Sequence, residues 1–170
     1  MRRQGYNATG LNEIVAHSGA PKGSLYFHFP GGKEELAVAA MARSGDQLRR
    51  AIEAIVTSSD DLGESLRRLV DALAIGLERS SYEAGCPIAT ITLEAATTSE
   101  AVRATADAVF SSWLAVLQER LVATGLNAED AERRALLVLA ALEGALILAR
   151  ARHDTGPLAA VRDELVAFAR

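Results

Sequence analysis

A single cysteine, Cys86, stands in the whole chain of 170 residues, which excludes an intrachain disulfide and any multi-cysteine metal site. Histidine is nearly as scarce. His17, His28 and His153 lie far apart, and with no HExxH, phosphate-binding glycine loop or Ser-His-Asp set in motif context the chain is expected to be neither an enzyme nor a holder of metal or cofactor. The longest apolar tract, 135–142 continuing at 145–149, is interrupted by Glu143 and Gly144 and falls short of the roughly 20 residues that span a bilayer. Small and polar residues follow Met1-Arg2-Arg3 where a signal peptide would need an apolar stretch. The expectation is a cytoplasmic protein with no membrane partner. Strand-type alternation is missing as well, so the chain reads as all-α.

What is scarce is also unevenly placed. Aromatic residues make up 5% of the chain, yet Tyr6, Tyr26, Phe27 and Phe29, half of the eight, fall within the first 29 residues. Lysine occurs only at Lys22 and Lys33. Residues 1–33 carry Arg2, Arg3, Lys22 and Lys33 against Glu13 alone, a net +3, and the remainder carries −7, which together make the chain's −4. A small basic head therefore precedes an acidic body.

Periodicity and punctuation divide the chain further. Thr9 suits the cap of a helix over 10–18, with Leu11, Ile14 and Val15 on one face and Gly19 ending it. Pro21 suits the first position of a second short helix to about Phe29, and Pro30-Gly31-Gly32 stop that one. Longer amphipathic helices are expected over 33–58, 62–82, 99–124 and 128–153, with short ones after Pro87 and Pro157. Ser99 suits a cap. Arg133-Arg134 and Arg150-Arg152 read as solvated edges.

Two short helices joined at Gly19 have the dimensions of a helix-turn-helix. The second opens Pro21-Lys22-Gly23-Ser24, a surface of small groups, a hydroxyl and a cation that presses close to phosphates. Gly23 sacrifices roughly 1 kcal/mol of helix stability relative to Ala, which close approach of a partner explains better than folding does. Tyr26, about one turn beyond Lys22, places its phenol toward a phosphate, while Leu25 and Phe29 point to the small core.

These residues carry a resemblance. Gly5-Tyr6-Asn7-Ala8-Thr9, Ile14-Val15-Ala16, the run Ser18 to Phe29 and Lys33-Glu34-Glu35-Leu36 closely resemble the DNA-binding domain of TetR-family transcriptional regulators. Gly85-Cys86-Pro87-Ile88, Leu93-Glu94-Ala95-Ala96 and Glu143-Gly144-Ala145 are similar to the regulatory domain of the lincomycin-resistance-repressor branch. The resemblance implies a helix-turn-helix head over 1–45 and a helical-bundle domain for ligand binding and dimerisation over 46–170. It implies a homodimer that binds a palindromic double-stranded DNA operator and is released by a small apolar effector. Carried over by position, Lys22, Gly23, Ser24 and Tyr26 belong to the recognition helix, with Phe27 toward a thymine methyl or sugar and His28 beside it. Thr9 and Lys33 are implied phosphate contacts. Family members begin with a full amphipathic helix over the motif, and only Met1 to Tyr6 remains of it here; about 12 to 15 residues are expected to be absent, through a misassigned start in preference to a weakened head. The competing reading is a helical small-molecule-binding dimer whose head is incompetent for DNA.

For the effector, an apolar cavity with a few polar groups is required. Thr90, Thr92 and Glu94, with Leu93 beside them, and Glu143 supply polar groups in otherwise apolar helices. Phe110, Trp113 and Leu117 are core by helical spacing and cavity lining on the second reading. Glu143 stays open between a ligand contact and a carboxylate paired internally or at the dimer edge. The last two helices are apolar on more than one face, so one face is expected to meet a twofold mate.

Overall fold

The computed structural model describes residues 1 and 3–169, apart from the side chain of Lys22. Among these residues the secondary structure is entirely helical: α1 (Leu11–Ser18), α2 (Lys22–His28), α3 (Gly32–Val56), α4 (Leu62–Arg79), α5 (Pro87–Ala95), α6 (Glu100–Ala123), α7 (Ala128–Arg152) and α8 (Gly156–Phe168). The expected elements are present, with no boundary shifted by more than about three residues. Residues 46 and 47, 85 and 86, and 109 and 110 separate two compact units, so that α3 and α6 each contribute to both.

The first unit comprises Met1–Asp46 and Cys86–Val109. Its core is built from Ala37 and Met41 of α3, Ile88, Ile91 and Ala95 of α5, and Val102, Ala106 and Val109 of α6, all buried. A Cβ on Gly45 would lie 2.6 Å from both methyls of Val109, so glycine there lets α3 approach α6 closely. Caps set the starts of the helices. The Ala89 N–H donates to Cys86 Sγ ahead of Pro87, and the Val102 N–H donates to Ser99 Oγ. Thr9 does not cap α1 as expected. Gly10 occupies the capping position without a side-chain bond, and the Thr9 hydroxyl, only 4% exposed, donates instead to the Gly5 carbonyl at 2.6 Å.

The second unit, Gln47–Gly85 with Phe110–Arg170, packs α8 against α4 and α7. α4 buries Leu66, Leu69, Val70 and Leu77, α8 buries Leu158 and Leu165, and Trp113, Leu117, Val138 and Leu142 are also buried. Polar groups close the loops. Asp61 accepts from the Glu64 N–H at the start of α4, and the fully buried Ser65 donates back to the Asp61 carbonyl. Arg120 of α6 donates to the carbonyls of Val56 (2.9 Å), Ser59 (2.9 Å) and Asp60 (2.6 Å), pairing the last carbonyl of α3 and two carbonyls of the loop that follows it.

Arg150 was expected at a solvated edge, yet it performs a similar task. It donates to the carbonyls of Tyr82 and Glu83, where Ser81 and Tyr82 adopt φ of 51° and 62°, uncommon for residues with a Cβ. A Cβ on Gly85 would lie 2.9 Å from Arg150 Nη1, so the glycine admits the guanidinium. Replacing Arg120 with Ala removes the side-chain donor to the Val56 and Asp60 carbonyls, while Ser59 keeps its bond from the Ser65 hydroxyl, and is expected to cost about 2 kcal/mol. Thermal unfolding followed by circular dichroism should show the midpoint falling by roughly 4 to 8 °C.

Candidate nucleic-acid interface

The head is assembled around a tight turn. Gly19, at φ 68°, takes the left-handed conformation that ends α1 at little cost for a residue without Cβ. The Ser18 hydroxyl donates to the Val15 carbonyl and accepts from the Ala20 N–H. Pro21 is extended at ψ 139° and precedes α2 instead of opening it. No residue of α1 is buried, and Leu25 and Phe29 are half-buried.

The outward face of α2 carries most of the residues singled out in the sequence. Phe27 is 81% exposed and Tyr26 is 49% exposed, while His28 stands edge-on to the Phe27 ring at 5.1 Å. Leaving a ring of this size in water forgoes about 2 kcal/mol of burial, so the fold itself gains nothing from Phe27. Gly23 is exposed, and a Cβ built on it meets nothing within 4 Å. Ser24 is half-buried. The Lys22 side chain lies outside the described residues.

Around α2 the remaining polar groups are organised by one turn, residues 5–9. Lys33 Nζ donates to the Asn7 carbonyl at 3.2 Å and sits 4.6 Å above the Tyr6 ring, leaving further ammonium protons for another acceptor. Burial, followed by the nearby Glu34 carboxylate, pushes the Tyr6 phenol upward, so it keeps its proton. Glu13, the one acid of residues 1–33, accepts from the Gln4 amide through both oxygens. Thr9 is turned inward to Gly5.

The effector candidates divide between the two units. On α5, the Thr90 hydroxyl donates to the Cys86 carbonyl, Leu93 is 76% exposed, and Glu94 accepts from the Asn7 N–H at 2.7 Å. In the second unit Phe110 meets Trp113 edge-on at 5.5 Å; Trp113 and Leu117 are buried, and Glu143 is half-buried on α7. None of these lines the groove of about 380 Å³ formed by Leu137, Ala141, Ala160, Val161, Leu165 and Phe168 with Glu164 at its edge. That groove lies on α7 and α8, where Arg134 stacks over Phe168 at 4.4 Å and Leu136, Leu137, Ile147 and Leu148 are all more than half exposed. Among the described residues no cluster of three or more His, Cys, Asp or Glu could hold a metal. No described helix is long and apolar enough to cross a membrane.

Two short helices joined at a left-handed glycine, with an exposed aromatic face on the second, define a helix-turn-helix head on an all-helical body. The chain belongs to the TetR family of bacterial transcriptional regulators. Residues 1–40 match the family described as bacterial regulatory proteins, tetR family, and residues 63–164 match transcriptional regulator LmrA/YxaF-like, C-terminal domain, in accord with the resemblance of both halves. The uncharacterized HTH-type transcriptional regulator YxaF of Bacillus subtilis (strain 168) is 35% identical over 167 residues, covering 98% of this chain and 87% of YxaF. The HTH-type transcriptional regulator LmrA of the same organism is 34% identical over 155 residues, covering 91% of this chain and 82% of LmrA. The crystal structure of regulatory protein TetR from Rhodobacter sphaeroides shares the fold at a TM-score of 0.88 and 21% identity, over 98% of this chain and 90% of that one. The matched families and relatives are transcriptional regulators, not enzymes.

Gly23 offers a test in which stability and binding move in opposite directions. Because the added methyl meets nothing in the protein, Gly23→Ala is expected to stabilise the head by about 1 kcal/mol. Against a duplex docked on α2 the same methyl would intrude, so affinity for DNA, read by anisotropy, is expected to fall at least tenfold. A gain in stability with unchanged affinity would remove Gly23 from the interface.

Proposed function

We propose that the protein is a ligand-responsive transcriptional repressor that binds a palindromic operator as a homodimer and is released by a small apolar effector. The observation that carries this reading is the face of α2, where an open glycine and two exposed rings stand on the basic end of an acidic chain. Gly23 admits the sugar-phosphate backbone, Ser24 and Tyr26 donate to phosphates, Phe27 meets a thymine methyl or sugar, and His28 and Lys22 supply polar and cationic contacts. Lys33 adds a phosphate contact from the start of α3, and Thr9 acts by holding the turn beneath it.

The second copy docks on α7 and α8. Leu136, Leu137, Ile147 and Leu148 recur along one side of α7 at helical spacing, and their exposure beside the apolar groove on α8 is what an isologous helical interface would cover. Thr90 and Leu93 in the first unit, and Phe110, Trp113, Leu117 and Glu143 in the second, are the proposed effector contacts, mostly apolar with few hydrogen-bonding groups in either unit. The protein acts in the cytoplasm, where its operator lies.

Fluorescence anisotropy on a duplex from the region upstream of its own gene, against a scrambled duplex and across a salt series, tests the reading. Preferential binding that weakens steeply with salt is expected, with Tyr26→Ala losing about tenfold in affinity while its helical circular dichroism is unchanged. Equal affinity for both duplexes would favour the helical small-molecule binder with an incompetent head. Leu137→Glu is expected to turn a dimer into a monomer in sedimentation velocity; a dimer unaffected by this change would place the interface elsewhere.

A further inference from the structure

Glu94 entered as an effector candidate, but its carboxylate is occupied by the head. Oε2 accepts the Asn7 N–H at 2.7 Å across a separation of 87 residues. Oε1 lies so close to Gly5 that a Cβ there would stand 1.9 Å from it, and Gly5 has φ 88°, a value that only glycine adopts readily. Two independent requirements, backbone conformation and space for the carboxylate, therefore select glycine at position 5. Asn7 is held from its other side as well, since its carbonyl accepts from Lys33 Nζ. The Gly5 carbonyl accepts from the buried Thr9 hydroxyl. One peptide segment is thus fixed by α5 through Glu94, by α3 through Lys33 and by itself through Thr9, immediately before α1 begins at Leu11.

We propose that Glu94 is a positioning residue that couples α5 to the DNA-reading helices, with Gly5 as its seat. This rests on the regulator reading and assigns Glu94 away from ligand contact. Thr90 lies one turn before Glu94 and Leu93 adjoins it on the same helix, so a displacement of α5 at those positions is carried to a carboxylate hydrogen-bonded to the peptide that leads into α1. A charge-assisted bond of this length is among the stronger single hydrogen bonds, and the other oxygen packs against Gly5 where a side chain would otherwise stand. Coupling through such a tie is reciprocal: DNA bound at α2 must alter α5 by the same free energy with which α5 alters the head.

Hydrogen exchange on the full chain separates this coupling from a purely structural role. Without DNA, Glu94→Ala is expected to speed amide exchange over residues 7–18 about tenfold, and Glu94→Gln, which keeps a carbonyl acceptor, by less. With the upstream duplex at saturation, wild-type α5 should exchange at least threefold more slowly, a response that Glu94→Ala loses and Glu94→Gln retains in part. Unchanged head exchange in Glu94→Ala, or protection of α5 by duplex that survives in Glu94→Ala, overturns the proposal. Should Glu94→Ala fail to fold, the same two readouts are decided on Glu94→Gln, with wild-type behaviour in both overturning it. Absence of any duplex preference in the wild type strikes the regulator reading instead, and the DNA-free exchange comparison then decides the tie by itself.

Discussion

A helix pairs its own interior backbone and leaves its first N–H groups and last carbonyls without partners, and a chain of helices with no strand has to find those partners from loops and side chains. This constraint accounts for many of the polar contacts in the protein. Asp61, Cys86, Ser99 and Asn127 accept from the first turns of α4, α5, α6 and α7. Gly19 ends α1 through a left-handed residue. The last carbonyl of α3 and two carbonyls of the loop after it are met from a distance, by Arg120 of α6. The arginine joins two helices of the second unit by bonding to backbone alone, so its contribution depends on where α3 stops and not on which side chains stand there.

With its backbone requirements met in this way, the fold leaves certain side chains unexplained, and these are the ones the proposed function uses. Phe27 contributes almost nothing to the core, and Gly23 weakens α2 without relieving any clash. Both departures from what stability alone would select fall on one short helix in the basic part of the chain, as expected where a surface has been kept for a partner. The exposed leucines of α7 are a second such departure, of a different chemistry. A flat apolar stripe suits another protein surface, whereas the mixture of ring, hydroxyl and open backbone on α2 suits a phosphate-lined groove.

Local signals were legible in the sequence because their causes are local. Gly19, Pro87 and Ser99 punctuate helices through their own conformation or their own side chain, and the apolar spacing of Leu66, Leu69, Val70 and Leu77 marks the buried face of α4 without reference to anything else. Thr9, Glu94, Arg120 and Arg150 were misread or passed over for the opposite reason. Each acts on a backbone group whose position depends on the folded chain: Thr9 on Gly5, Glu94 on Asn7, Arg120 on the end of α3, and Arg150 on the turn after α4. A polar residue in an apolar helix announces that it has a partner, but not whether that partner is a ligand or a peptide bond. Glu94 shows how the two are confused, and Gly5, whose left-handed conformation and closeness to the carboxylate appear only in the structure, shows why sequence pattern could not separate them.

The proposed function requires that α2 reads DNA from a twofold dimer. A hydroxyl-radical footprint of the protein on the region upstream of its gene tests it most directly. Two protected half-sites related by an inverted repeat are expected, with centres about one helical turn or a small multiple of it apart, and both should be lost when Phe27 and Tyr26 are replaced together by Ala. A single unpaired footprint, uniform weak protection along the fragment, or protection that survives the double replacement would contradict it.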